Sequence, residues 1–179
     1  MPRTILFYGV IAGLIVAIPM NILLLIFPHG EGGGGYLTGY TLMIVALSFI
    51  FIGVKRYRDR ALGGVIKFVP AFLMGLGISA VAGVIYVIAW EISLAMTDYS
   101  YMNDYVQAAI ETERAKGVSG AALGAYIARM EAFKVQYANP LFRLPMTFIE
   151  IFPVGLLISL ISAALLRNAR FLPHTRRGA

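Results

Sequence analysis

The sequence has no cysteine and little charge. The absence of cysteine excludes disulfide bonds, thiolate metal sites and cysteine nucleophiles. Charged residues make up 13% of the 179 positions and hydrophobic residues make up 59%, whereas a soluble domain has roughly 25% charged residues. A water-soluble protein could not cover its surface with this composition, and a disordered chain would be far less hydrophobic. The composition therefore predicts an integral membrane protein.

Enzyme motifs are lacking as well. The sequence has no nucleophile elbow, no His-Glu-x-x-His zinc motif and no histidine-bearing triad. Residues 75–80 match the letters of a dinucleotide-binding fingerprint, but they lie inside an apolar run and not at a strand-to-helix turn. We therefore expect no enzymatic activity, no cofactor and no metal site. The net charge of +6 is typical of the basic loops of a membrane protein, so we expect no nucleic-acid partner.

Four apolar stretches are long enough to cross a lipid bilayer, which takes about 20 residues. They cover about residues 4–27, 37–54, 65–96 and 145–166. The segment of about residues 97–144 is too charged to span, and its apolar residues recur at the three- and four-residue intervals of amphipathic helices. The predicted fold is all-α, with one membrane domain over residues 1–179. It is a four-helix bundle with an extracytoplasmic two-helix amphipathic hairpin between spans three and four.

The basic residues predict the orientation of the chain. Four spans place both termini on one side of the membrane, and ten of the fifteen Lys and Arg residues fall on that side. These ten are Arg3, Lys55, Arg56, Arg58, Arg60, Lys67, Arg167, Arg170, Arg176 and Arg177. Because basic residues concentrate in cytoplasmic loops, both termini are predicted to be cytoplasmic. The cluster of Lys55, Arg56, Arg58 and Arg60 either binds anionic lipid headgroups, at about 1 kcal/mol per basic residue, or is only the orientation signal.

Small residues recur every four positions in three of the spans. They are Gly9 and Gly13 in span one, Gly75, Ser79 and Gly83 in span three, and Gly155 and Ser159 in span four. In lipid, helices associate through close packing at small residues, because the hydrophobic effect does not distinguish a helix from lipid. We therefore expect a close-packed bundle. The sequence leaves open whether these residues pack within one chain or between the chains of a homo-oligomer.

Two carboxylates lie within predicted spans, where ionisable groups usually mark a functional site. Glu91 lies about six residues before the outer end of span three and Glu150 about five residues into span four, which places both roughly 7–9 Å below the outer surface. We therefore expect the two carboxylates to share one level. Polar neighbours expected near that level are Asn21, Trp90 and Tyr86.

Two interpretations of these carboxylates stay open. In the first, each is a structural anchor that bonds to a hydroxyl, to the indole, to Asn21 or to Arg143 from the following loop. In the second, the pair binds a proton, a cation or a partner, because two carboxylates in one cavity tend to hold a proton between them. His29 and Glu31 lie near the same mouth and could enlarge such a site.

Motifs along most of the chain carry a resemblance to a known family. They are Tyr8-Gly9 with Gly13, the run from Leu47 to Asp59, Gly63-Gly64, Lys67-Phe68, Trp90-Glu91, the run from Tyr137 to Leu141, Met146-Thr147-Phe148, Glu150, and the run from Pro153 to Ala163. On these residues the chain resembles the bacterial family known as domain of unknown function 4199, whose small membrane proteins mostly have four predicted spans. The resemblance implies the bacterial inner membrane and an unassigned activity. It supplies no substrate and no catalytic residue.

The sequence thus favours a non-enzymatic membrane protein that contacts the lipid bilayer and binds a partner protein, a lipid or a second copy of itself. In this interpretation Glu91 and Glu150 fix the outer end of the bundle. The alternative is a small transporter or channel for protons, cations or another solute, which uses these carboxylates beneath the hairpin. A transporter requires a wet cavity that reaches both carboxylates, whereas a scaffold would hold them paired and dry.

Overall fold

The computed structural model describes residues 1–26 and 35–173, with side chains described for residues 1–22 and 37–173. The described part contains seven α-helices and no strand. The helices are α1 (Pro2–Ile26), α2 (Gly35–Leu47), α3 (Phe49–Ala61), α4 (Phe68–Met96), α5 (Tyr101–Ala115), α6 (Gly120–Tyr137) and α7 (Pro140–Leu166).

Four segments of the described chain are long and apolar enough to cross a membrane. Their bounds are Pro2–Ile22, Leu37–Ala61, Phe68–Met96 and Pro140–Leu166. The second segment consists of α2 and α3, which meet at Ser48, where the serine hydroxyl donates to the carbonyl oxygen of Val45 at 2.6 Å. The predicted all-α class with four spanning helices is therefore confirmed.

Helices α5 and α6 form the hairpin between the third and fourth spans. The chain reverses at Gly117 and Gly120, whose φ angles of +84° and +59° suit glycine because it has no Cβ. Helix α5 buries Val106 and Ile110, and it packs against α6. We call the membrane side that carries this hairpin the hairpin side, and the side that carries Met1 and the end of α7 the terminal side.

The last span begins at Pro140, five residues (145 − 140) before its predicted start. Asn139 caps this helix, because its side-chain oxygen accepts a hydrogen bond from the backbone N–H of Leu141 at 3.0 Å. Pro140 occupies the first helical position, where its missing N–H removes no intrahelical bond. Pro145 therefore lies inside the helix and does not start it. Every residue of α7 is consequently farther from the helix start than the sequence indicates.

The small-residue positions pack within the chain, with α4 in the centre between α1 and α7. A Cβ added at Gly9 would lie 2.5 Å from the Cβ of Val81, so α1 and α4 approach almost to backbone contact. On the other face of α4, a Cβ added at Gly75 would lie 2.7 Å from the hydroxyl of Ser159 on α7. Four more small residues lie at these two helix contacts. Gly13 lies against Ile85 between α1 and α4, whereas Gly83 lies against Phe148, and Gly155 against Ser79, between α4 and α7.

The outer surface of the bundle is apolar. On α1, Leu6, Val10, Leu14 and Ile18 recur every four residues and are all exposed. In water a continuous apolar stripe of this kind would promote association or aggregation. In a bilayer the same stripe contacts acyl chains, which is the environment that the composition predicts.

Candidate functional site

A buried arginine organises the hairpin side of the bundle. Arg143 lies one turn into α7, and its side chain is 5% exposed. Its Nε donates to Oε1 of Glu91 at 2.7 Å and its Nη2 donates to Oε2 at 2.6 Å. This two-bond geometry is the strongest pairing between a guanidinium and a carboxylate. Glu91 is therefore neutralised by an ion pair between α4 and α7.

The same guanidinium also binds the end of α6. Its Nη1 donates to the carbonyl oxygens of Tyr137 at 3.1 Å and Ala138 at 3.4 Å, which are among the last of that helix. A basic group at a helix C-terminus satisfies carbonyls without an intrahelical partner and interacts favourably with the helix dipole. Arg143 also lies over the rings of Tyr99 and Tyr137, 5.4 Å and 5.8 Å from their centroids. One side chain thus joins α4, α6 and α7; we call Arg143, Glu91, Tyr137 and Tyr99 the Arg143 junction.

Trp90 attaches the hairpin to α4 beside this junction. Its indole Nε1 donates to the hydroxyl of Tyr137 at 2.7 Å, and its ring meets the ring of Tyr101 edge to face at 5.1 Å. Burial raises the pKa of the Tyr137 phenol, so this hydroxyl stays protonated near neutral pH. Tyr137 was not among the predicted site residues. Tyr137 is the last residue on the apolar face of α6, and this position was the signal that could have identified it.

Asn21 bonds α1 to α4 and contacts neither carboxylate. Its side-chain N–H donates to the carbonyl oxygen of Ala17 at 2.9 Å, and its side-chain oxygen accepts a hydrogen bond from the hydroxyl of Ser93. Ser93 is buried and was not anticipated from the sequence. Asn21 therefore belongs to helix packing in this structure and lies outside the Arg143 junction.

Glu150 lies in a different environment from Glu91. Its described polar contact is with Tyr86, whose hydroxyl donates to Oε2 of Glu150 at 3.3 Å. Tyr86 is 2% exposed, whereas Glu150 is exposed on the surface of the bundle. Among the described residues Glu150 has no cationic partner.

The two carboxylates do not share one level. Glu150 follows Arg143, the partner of Glu91, by seven residues (150 − 143) on α7, which corresponds to about 10 Å along the helix axis. The expectation of a common level was wrong because α7 begins at Pro140, so Glu150 lies about 15 Å from the helix start. The described residues contain no group of three metal-binding side chains. His29 and Glu31 lie outside the described residues.

An apolar groove lies between α4 and α7 on the hairpin side. Its volume is about 490 Å³, and its walls come from Val84, Ile88, Leu141 and Phe148 with their neighbours. Neither Glu91 nor Glu150 lines it. The groove therefore does not form a polar path between the two carboxylates.

On the terminal side, Arg58 does not fit the first of the two interpretations of the basic cluster, which is contact with lipid headgroups. The residue is fully buried, and its Nε donates to Oδ1 of Asp59 at 2.7 Å. Its Nη1 and Nη2 donate to the carbonyl oxygens of Phe171 at 3.0 Å and Leu172 at 2.5 Å, and Nη1 also lies 3.4 Å from that of Leu166. These donors hold the chain beyond α7 against α3, so they are unavailable to a headgroup.

The other three residues of the basic cluster divide into one paired and two exposed side chains. Lys55 donates to Oδ2 of Asp59 at 2.6 Å. Arg56 and Arg60 are exposed, and neither has an ion pair or hydrogen bond within the described part of the chain. Only these two remain fully available to a ligand in the solvent or the lipid headgroup layer.

The four apolar helices define a multi-pass helical membrane protein. A family model described as protein of unknown function (DUF4199) matches residues 7–168. The chain therefore belongs to this family, and the resemblance seen in the sequence is confirmed. No curated protein and no solved structure matches the chain.

Proposed function

We propose that this chain is a non-enzymatic protein of the bacterial inner membrane, with cytoplasmic termini, that binds a partner within the bilayer through the Glu150 surface of α7. The observation that carries the proposal is the position of Glu150. It is exposed on the bundle, about 15 Å from the start of its helix, and its polar contact in the described structure is one neutral hydroxyl.

The energetic argument concerns the cost of a carboxylate in hydrocarbon. On insertion scales an acidic group near the bilayer centre costs about 2.5–3.5 kcal/mol. A single hydroxyl at 3.3 Å offsets only part of this cost, since a typical hydrogen bond contributes about 1 kcal/mol net. A partner that brings a hydrogen-bond donor or a basic group to the same depth would lower the remaining cost. A second transmembrane helix with such a group is the partner that this chemistry favours.

The transporter alternative receives less support from the geometry. It requires a wet cavity that reaches both Glu91 and Glu150. In the described structure Glu91 is neutralised by Arg143, and the groove between α4 and α7 is apolar and contains neither carboxylate. Proton and cation flux in proteoliposomes tests this alternative directly. Flux well above background that is abolished by Glu91→Gln with Glu150→Gln would favour transport over partner binding.

The partner proposal is tested by association in the membrane. Tagged native protein is cross-linked in membranes, extracted in mild detergent and compared with Glu150→Leu. We expect the native chain to yield a discrete complex and Glu150→Leu to lose it while its monomer remains folded. Leu157→Ala is the matched control, because Leu157 is exposed and lies two turns farther along the same face of α7. A complex that survives Glu150→Leu unchanged would refute the proposal.

A further inference from the structure

The last two turns of α3 carry five charged residues that the structure separates into two groups. Lys55 and Arg58 both bind the carboxylate of Asp59, one on each oxygen, and Arg58 also binds the chain beyond α7. Arg56 and Arg60 take no part in this network. Four residues apart, they lie on one face of the helix, and both are exposed.

The surroundings of this arginine pair are strongly basic. Asp59 is the one acidic residue on the terminal side within the described residues, and both its oxygens are occupied. In the described part of the chain, the other exposed basic residues on that side are Arg3, Lys67, Arg167 and Arg170. No described carboxylate is therefore free to pair with Arg56 or Arg60, and the unbalanced charge favours an anionic ligand from outside the chain.

We propose that Arg56 and Arg60 bind the phosphate of an anionic phospholipid headgroup. The pair lies at the end of the span Leu37–Ala61, where the hydrocarbon gives way to the headgroup layer. Guanidinium groups bind phosphate oxygens through paired hydrogen bonds, and basic residues next to a span are attracted to anionic leaflets. This site is independent of the Glu150 surface, because it lies on another helix and at the terminal side, whereas Glu150 lies within the bilayer.

The proposal is tested by lipid binding to the full chain in detergent. Native mass spectrometry counts bound lipid during titration with phosphatidylglycerol, with phosphatidylcholine and with inorganic phosphate. We expect the native chain to prefer phosphatidylglycerol, and Arg56→Gln with Arg60→Gln to bind it roughly 30-fold more weakly. This loss corresponds to about 2 kcal/mol, from about 1 kcal/mol for each basic residue. Salt should weaken the native interaction and affect the variant much less.

A matched control removes the same charge elsewhere. Arg114→Gln with Arg129→Gln replaces two exposed arginines of the hairpin, so net charge falls equally while the terminal side is unchanged. We expect this control to bind phosphatidylglycerol as the native chain does. The proposal would be overturned if both double variants lost affinity equally, if neither did, or if phosphatidylcholine bound as tightly as phosphatidylglycerol. Competition by inorganic phosphate at equal concentration would also overturn it, since the site would then recognise free phosphate and not lipid.

Discussion

Removal of the Arg143 side chain should detach the hairpin from the bundle. In Arg143→Met the carboxylate of Glu91 loses both hydrogen bonds at 2.6 and 2.7 Å, and the carbonyls at the end of α6 lose their donor. Breaking a buried ion pair by removing one partner costs about 3–5 kcal/mol. Because Glu91 is 27% exposed, water or headgroups can reach it, and we expect a loss near the low end, about 3 kcal/mol.

The chain contains a natural probe for this effect, since its one tryptophan is Trp90, which bonds to Tyr137 beside the junction. A loss of about 3 kcal/mol corresponds to a fall of about 6–12 °C in Tm for a chain of this size. Intrinsic fluorescence during thermal unfolding measures Tm, and the emission wavelength of Trp90 before unfolding reports whether the hairpin is still docked. We expect a lower Tm and a red-shifted emission for Arg143→Met.

A double-mutant cycle separates the ion pair from general disruption. In Glu91→Leu with Arg143→Met no charge is left unpaired, so the double variant should lose less stability than the sum of the two single losses. Arg129→Met is the control, because Arg129 lies 5.5 Å from the ring of Tyr126 on the exposed part of the hairpin. Additive losses in the cycle, or an Arg143→Met protein that melts and emits like the native chain, would refute this account of the junction.

Two further predictions concern the helix contacts and the terminal side. Gly155→Ala should destabilise by about 1–3 kcal/mol through overpacking against α4, because the new methyl group would overlap Ser79. Gly39→Ala, which meets nothing within 4 Å, should not destabilise, and equal Tm values for the two variants would contradict this reasoning. Arg58→Met should release the chain beyond α7. Trypsin should therefore cleave this variant at Arg167 and Arg170 faster than it cleaves the native protein, while Trp90 emission stays unchanged. An unaltered cleavage rate would show that Arg58 does not hold this segment.

The spans and the hairpin could be predicted because their signals are local. Apolar length identifies a span without reference to any other part of the chain, and the three- and four-residue spacing of apolar residues identifies an amphipathic helix. The start of α7 was placed too late because Asn139-Pro140 both follows α6 and caps the next helix. A single dipeptide can carry both signals, and the sequence alone does not show that α6 continues to Tyr137 and α7 begins at Pro140.

The sequence offered Arg143 as one of several possible partners for a span carboxylate, but it could not select Glu91 or predict the carbonyl contacts of Arg58, because these partners lie far away in the sequence. Arg143 and Glu91 are separated by 52 residues, and Arg58 binds a carbonyl oxygen 114 residues away. Backbone carbonyls carry no sequence signal, since every residue has one. Arg58 therefore looked the same as Arg56 and Arg60 in the sequence, although only the latter two are exposed in the fold.

Arg58 and Arg143 have equivalent roles at opposite sides of the membrane. Each is buried, each pairs with one carboxylate, and each donates to carbonyl oxygens at or beyond the end of a helix. In both places the carboxylate lowers the cost of burying the guanidinium, and the carbonyls occupy its remaining donors. Of the three carboxylates in the described spans, this arrangement accounts for Asp59 and Glu91 and leaves Glu150 without a cation. Because the described fold pairs no cation with Glu150, a binding partner would gain more free energy at Glu150 than at Glu91. The proposed function therefore rests on Glu150 and not on Glu91.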